Sequence, residues 1–317
     1  MSAGLFDNFQ LSRRSAGLLM LLVAVIWGLA FVFQAEGLEH VGAFTFVSLR
    51  FFIGAAALLP FALLERRKTP LRITKLEPKL RFYLLMMGLC LGAGALLQQA
   101  ALLYTNIANA AFITTLYVPF VPLIAALFLR TFFRRAIWVA VAFCIIGTYL
   151  LAGFNPDLHA WRGDLLMLVG ALIFALHILT IGAFIAQVNL PLQAGFVQLF
   201  ITALIALPLA LVFESTSIQA LINALPALLY TGVLSSALAF TLQLTAQRFA
   251  SPAAAAVLLS LESVFAALFG WALLRESLLM IDILGCLLIF TGVLIVELWP
   301  RKPDDEQPPK SEPAAQT

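Results

Sequence analysis

Residues 252–273 read PAAAAVLLSLESVFAALFGWAL, twenty-two residues carrying one charge, Glu262, near the middle. A helix needs about 20 predominantly apolar residues to cross the ~30 Å hydrocarbon core of a bilayer. A run this long, without the apolar–polar alternation of a membrane barrel strand, reads as a transmembrane helix. The rest of the chain is written in the same language. Of 317 residues, 62% are hydrophobic and 11% charged, against about 45–50% and about 25% in soluble domains. That balance excludes a soluble globular protein. The net charge of +3 is small, and the basic residues fall at the ends of apolar runs rather than on one patch, which excludes a nucleic-acid-binding surface. Cys90, Cys144 and Cys286 stand far apart without C-x-x-C spacing, so neither a disulfide framework nor a zinc site is expected.

Working outward from 252–273, nine further apolar runs appear: 16–34, 43–64, 82–103, 108–129, 137–153, 163–185, 193–213, 224–247 and 280–299. The fifth is short and the seventh is interrupted by Gln193 and Gln198. The expected fold class is an all-α polytopic membrane protein of ten transmembrane helices. Lys and Arg set the orientation, because cytoplasmic loops carry the excess of both. With the N-terminus inside, sixteen of the nineteen basic residues are cytoplasmic, Arg162 and Arg275 lie outside, and Arg50 lies within a span. Both termini are therefore expected in the cytoplasm. Residues 1–15 form a cytoplasmic segment, and 300–317, with five prolines and mixed charges, form a disordered tail.

The chain also repeats itself. Pro60 returns as Pro208, an offset of 148, and Gln98 returns as Gln243, an offset of 145. Gly147 in Ile145-Ile146-Gly147-Thr148 is matched at the same offset of 145 by Gly292 in Ile289-Phe290-Thr291-Gly292. Five helices per half, over 16–153 and 163–299, is an odd number, so equivalent halves must cross the membrane in opposite senses. Inverted repeats with a site between them near the midplane are a recurring design of secondary transporters.

In detail the sequence resembles the EamA-like family of the drug/metabolite transporter superfamily. The likeness is carried by Trp27-Gly28 in the first helix, Leu49-Arg50-Phe51 in the second, and Gln98-Gln99-Ala100-Ala101 at the end of the third. It continues through Ala110-Ala111-Phe112-Ile113-Thr114 to Tyr117-Val118-Pro119, and closes with Leu261-Glu262-Ser263-Val264-Phe265 and Leu274-Arg275-Glu276. The resemblance implies a ten-helix carrier and covers residues 16–299. One departure matters: the family usually has proline after this glutamate, and here Ser263 stands there, which puts a proline-induced break in the ninth helix in doubt.

Polar residues inside a bilayer are costly and mark function or packing. About 15 Å of helix separates Glu262 from either end of its run, where an ionised carboxylate costs at least ~2.5–3.5 kcal/mol. It reads either as a proton- or substrate-responsive carboxylate or as a hydrogen-bonded packing residue, with packing favoured. Arg50 reads as a residue that snorkels outward to pair with Glu36 or Glu39, or else attracts a carboxylate-bearing substrate; the ion pair is favoured. His177 reads as a packing histidine before a proton carrier. Gln98, Gln99, Gln243, Thr114 and Tyr117, with Trp27 and Phe174 as aromatic walls, are candidates for lining a small-molecule cavity; interhelical hydrogen bonding is the competing reading, and Trp27 alone is favoured as core. No second ligand at metal spacing accompanies His177, so no metal is expected.

The function expected is a secondary transporter, exporting a small organic metabolite or drug across the inner membrane by alternating access. No phosphate-cradling Gly loop is present to use ATP, no cofactor is expected, and protons are the candidate coupling partner. An intramembrane enzyme would need a clustered catalytic set, which the sequence lacks; a passive channel would need a continuous lined pore. The sequence names neither substrate nor oligomeric state. The topology has a direct test. Single cysteines at positions 70 and 310 should label from the cytoplasmic side, and those at 157 and 217 from outside; finding 157 on the same side as 70 breaks the ten-helix reading.

Overall fold

The computed structural model describes residues 13–69, 72–105, 107–128, 130, 133–152, 161–275 and 279–299. The expected tail at 300–317, most of the N-terminal segment, and positions 70, 157 and 310 lie outside the described residues. Among the described residues the chain is helical, with no strand. In order the helices are α1 (Arg13–Leu38), α2 (Ala43–Lys68), α3 (Pro78–Ala101), α4 (Ile107–Thr115), α5 (Tyr117–Phe128), α6 (Arg135–Ala152) and α7 (Trp161–Ile185). The second half holds α8 (Pro191–Phe213), α9 (Ile218–Asn223), α10 (Leu225–Leu229), a π-helical stretch Tyr230–Leu238, α11 (Ala239–Ala246), α12 (Pro252–Leu259), α13 (Leu261–Leu274) and α14 (Met280–Leu298). Nine helical stretches among the described residues are long and apolar enough to cross a membrane, with α4–α5, α10–α11 and α12–α13 each contributing one; the short fifth run appears as Arg135–Leu150.

Two antiparallel helix pairs frame the bundle. In the first, α2 lies along α8, and each ends in a glutamate that caps the other. The Glu65 carboxylate, near the end of α2, accepts from the backbone N–H groups of Leu192 (3.4 Å) and Gln193 (2.8 Å) at the start of α8. Glu214, at the end of α8, accepts from those of Phe44 (3.0 Å) and Thr45 (2.7 Å) at the start of α2. Helix N-termini leave unpaired N–H groups that favour a negative partner. Here neither helix carries a side-chain cap of its own, and each borrows a carboxylate from its mate. Glu65, Leu192 and Gln193 are buried, so that half of the exchange is made out of water, while Glu214, Phe44 and Thr45 are half-buried.

The second pair is α6 with α14, and it packs backbone on backbone. A Cβ on Gly147 would stand 2.6 Å from the Gly285 carbonyl oxygen, and one on Gly292 would stand 2.9 Å from the Ala140 carbonyl oxygen. Helices in lipid gain no hydrophobic advantage from associating, so close approach at small residues holds them. The contact is reciprocal at the register read from the sequence: 140 corresponds to 285, and 147 to 292.

Two apolar runs that look continuous in sequence are broken in the structure, at equivalent places. The fourth breaks at Leu116, between α4 and α5, and the ninth at Ser260, between α12 and α13. In the fourth the cause is Pro119 and Pro122, which cannot donate to the carbonyls of Thr115 and Val118. In the ninth the one proline, Pro252, opens the helix far from the break, and the doubt about a break resolves in favour of one made by hydroxyls. The Ser260 Oγ donates to the Val257 carbonyl (2.6 Å), the Ser263 Oγ donates to the Ser260 carbonyl (2.8 Å), and the Ser263 N–H bonds back only to Ser260 (3.1 Å). Such side-chain competition for backbone carbonyls bends helices.

The borrowed cap can be weighed by mutation. Glu65→Ala strips two buried N–H groups of their acceptor and should lower unfolding stability in detergent by about 1–3 kcal/mol, while Glu65→Gln keeps one acceptor oxygen and should lose less. An unchanged melting temperature for Glu65→Ala would mean that the cap is idle.

Candidate functional site

Between these pairs lies a half-open cavity bordered by α1, α2, α3, α4, α5, α7, the π-helical stretch, α11 and α13. Of the residues singled out from sequence, Trp27, Arg50, Gln98, Thr114, Tyr117, Phe174, His177, Gln243 and Glu262 all line it. Gln99 does not: its Nε2 donates to the Gln34 carbonyl (3.1 Å), away from the cavity. The sequence reading missed Phe31, Gln34, Phe51, Ser235, Ser236 and Phe240, which also line it. Trp27, Phe31 and Gln34 share one helical stripe (i, i+4, i+7), as do Ser236, Phe240 and Gln243; extending the stripes from Trp27 and Gln243 would have found Phe31, Gln34, Ser236 and Phe240, though not Phe51 or Ser235.

The first half-turns of the two broken helices meet the cavity. Tyr117 opens α5 and Glu262 lies in the first turn of α13; their offset is the 145 of the repeat. Their side chains face one another. The Tyr117 hydroxyl and the Glu262 carboxylate stand within hydrogen-bonding range of one another but out of good alignment, and both are buried. That loosely aligned phenol leaves the carboxylate acceptor capacity toward the cavity it lines. Beside it, Gly28 lets α1 press against α13: a Cβ there would be 2.5 Å from the Phe265 Cβ and 2.8 Å from the Ala266 nitrogen.

Arg50 corrects an expectation. It forms no ion pair with Glu36 or Glu39, which are exposed, and it is itself only 4% exposed. The side chain turns into the bundle rather than out to the surface. Its guanidinium lies 4.8 Å over the Phe51 ring and 5.9 Å from that of Phe46, and its Nε has no hydrogen-bond partner.

The remaining polar groups divide into tied and open. His177 Nε2 shares a 3.0 Å hydrogen bond with Gln198 Oε1 and sets its ring at 81° to Phe240, so it is both a packing residue and a wall. Gln98 Nε2 donates to Thr114 Oγ1 (3.2 Å), which in turn faces Met167 Sδ (3.2 Å). Trp27, favoured from sequence as core, forms part of the wall: its Nε1 donates to the Ser235 carbonyl (3.0 Å) and its ring packs 5.0 Å from Phe240. Ser235 sits in the π-helical stretch, and such insertions free carbonyls for partners of this kind. Gln34 Oε1 and Gln243 Oε1 are buried without partners. Among the described residues no three His, Cys, Asp or Glu side chains gather as a metal site requires.

Comparison with known proteins places this architecture. Two successive stretches, 14–153 and 161–298, each match the EamA-like transporter family. The chain belongs to the EamA-like transporter family. An Archaeoglobus fulgidus protein described as an uncharacterized transporter is 32% identical over 90% of this chain and 87% of its own. The uncharacterized inner membrane transporter YedA of Escherichia coli K12 is 27% identical over 88% of this chain and 90% of its own. One crystal structure superposes with a TM-score of 0.74 over 90% of this chain and 98% of that one, at 20% identity, a likeness that speaks to the fold alone. The chain is a multi-pass membrane protein of this family, and the family's tandem match falls on the two halves separated by the α6–α7 junction.

The Gly28 contact supplies a test of the wall. Gly28→Val drives a side chain into backbone and should cost about 1–3 kcal/mol of stability by overpacking, whereas at Gly17 the nearest atom is the flexible end of Glu297 at 3.1 Å and Gly17→Val should cost little. Equal melting temperatures for the two variants would contradict the close α1–α13 contact.

Proposed function

We propose that the chain is a secondary carrier of the inner membrane, exporting a small organic molecule by alternating access between two inverted five-helix repeats. In this reading there are ten spans, with Arg135–Leu150 at the core of the fifth and both termini cytoplasmic. The observation that carries it is the central cavity. It is bordered by both broken helices, and three buried polar atoms on its lining residues have no partner, Gln34 Oε1, Arg50 Nε and Gln243 Oε1, beside the poorly aligned Tyr117–Glu262 pair. Buried polar groups are nearly always paired, and exceptions ask for an explanation. A binding cavity that exchanges solvent for substrate supplies one. Irregular backbone at membrane depth is tolerated where it lines such a cavity.

The reciprocal features support opposed repeats: Glu65 and Glu214 cap each other's helices, and Gly147 and Gly292 each meet the partner's backbone at equivalent positions. One end of the bundle is a dry core of Leu84, Met87, Ile181, Phe184 and Leu244. With the termini cytoplasmic this is the inner end. A cavity stopped by packed side chains on that side fits a carrier caught between openings better than a continuous pore. Family membership, with relatives described as transporters, favours transport over intramembrane catalysis.

Transport is tested with purified protein in proteoliposomes, over a panel of amino acids, sugars, organic acids and cationic drugs. Saturable uptake with counterflow by unlabelled substrate is expected; unsaturable flux without counterflow would make the protein a channel. In the same vesicles Glu262→Gln separates its two roles. With Glu262 carrying a coupling proton, the variant should lose transport driven by a proton gradient and keep exchange, since exchange need not release the proton. Equal activity of variant and wild type in both modes would return Glu262 to packing.

A further inference from the structure

We propose that the cavity is built for an organic monocarboxylate, with its carboxylate docked on Arg50 and its apolar body held between aromatic walls. The proposal rests on the carrier reading and names the substrate class of the same site. Arg50 is 96% buried by its 4% exposure, faces the cavity and makes no hydrogen bond or ion pair among the described residues. A guanidinium is charged at every accessible pH and carries five donors. Burying it without a partner is expensive, and unpaired buried charges are the exception in proteins. Among the described residues no carboxylate pairs with it, which points to a partner taken up in the cavity.

The shape of the group narrows that partner. The guanidinium carbon lies 4.8 Å from the centre of the Phe51 ring, a cation–π contact that leaves its N–H donors unspent. A planar fork of N–H groups pairs bidentately with an oxyanion such as a carboxylate. Trp27, Phe31, Phe174 and Phe240 supply the remaining walls, which suit an aromatic or branched apolar body. The charge count then separates one carboxylate from two. Arg50 is the one Arg or Lys that lines the cavity among the described residues, and Glu262, beside Tyr117, lines the same cavity. A dicarboxylate or a phosphate monoester would bring a second negative charge with no second cation to receive it and a carboxyl in its way. Discrimination by an unpaired charge is an established route to specificity.

The test is binding to the purified full chain in detergent, read by thermal unfolding and by calorimetry. The probes are benzoate, phenylacetate and 3-phenylpropionate, with 3-phenylpropionamide and phenylsuccinate as neutral and doubly charged controls. At least one monocarboxylate should raise the melting temperature in a saturable way, while the amide and the diacid should not. Arg50→Gln should weaken that binding by more than about tenfold, the order expected for loss of a charge-assisted bidentate pair; Arg50→Lys, keeping charge without the fork, should fall between. Glu262→Gln should admit phenylsuccinate. Stabilisation by the amide equal to that by the acid, unchanged binding by folded Arg50→Gln, or no response to any monocarboxylate would each overturn the proposal. Should Arg50→Gln not fold, the comparison of acid, amide and diacid on the wild-type protein decides alone. Counterflow of a neutral or cationic solute, alongside no binding of monocarboxylates, would sink this assignment and leave the carrier reading standing.

Discussion

Hydrocarbon offers no hydrogen-bond partner, so every backbone N–H and C=O at membrane depth must be paired within the protein. That constraint shapes this molecule more than any single contact. It makes the described chain helical from end to end, and it makes each interruption conspicuous. Where α4 gives way to α5 and α12 to α13, ladder bonds are lost in the middle of otherwise apolar runs. Both losses occur where the chain borders the central cavity, the one setting in which irregular backbone is tolerated. The need to pair the free N–H groups of helix N-termini also fits the exchanged caps: α2 and α8 each draw a carboxylate from the end of the other.

The two halves reach similar geometry by different chemistry. Proline breaks one helix by withholding donors; paired serines break the other by taking carbonyls. Their first turns differ too, with a phenol at Tyr117 and a carboxylate at Glu262. The π-helical stretch Tyr230–Leu238 has no equivalent in α3, which runs as a regular α-helix. These departures from symmetry are concentrated on the cavity, while the reciprocal contacts lie in the framing helix pairs. A conserved frame with a differentiated centre is how a repeated scaffold acquires one particular site.

Much of the frame is legible in the sequence because span length is fixed by bilayer thickness and polar residues within spans are expensive. The offset of 145 found from Gln98 and Gln243 is the register at which Gly147 and Gly292 pack in the structure. The cavity is legible in part for the same reason: Thr114, Gln243 and Glu262 stand out from apolar surroundings. What sequence could not supply is direction. Gln98 and Gln99 are indistinguishable as letters, but adjacent residues point about 100° apart on a helix, and one faces the cavity while the other ties α3 to α1. Arg50 had two physically acceptable destinations, and only packing chose the inner one. The break at Ser260 was hidden because serine hydroxyls signal a bend only once their carbonyl partners are known.

The central claim is that one cavity serves both sides of the membrane, and it is most directly tested by access from each side. Ala95, which lines the cavity, is replaced by cysteine in a chain whose three native cysteines have been substituted. The variant is exposed to a small charged thiol reagent in right-side-out and in inverted vesicles. Alternating access predicts labelling from both sides, with a substrate found in the vesicle assay slowing the reaction in each. Labelling from one side alone, with the same rate whether or not transported solute is present, would contradict the account.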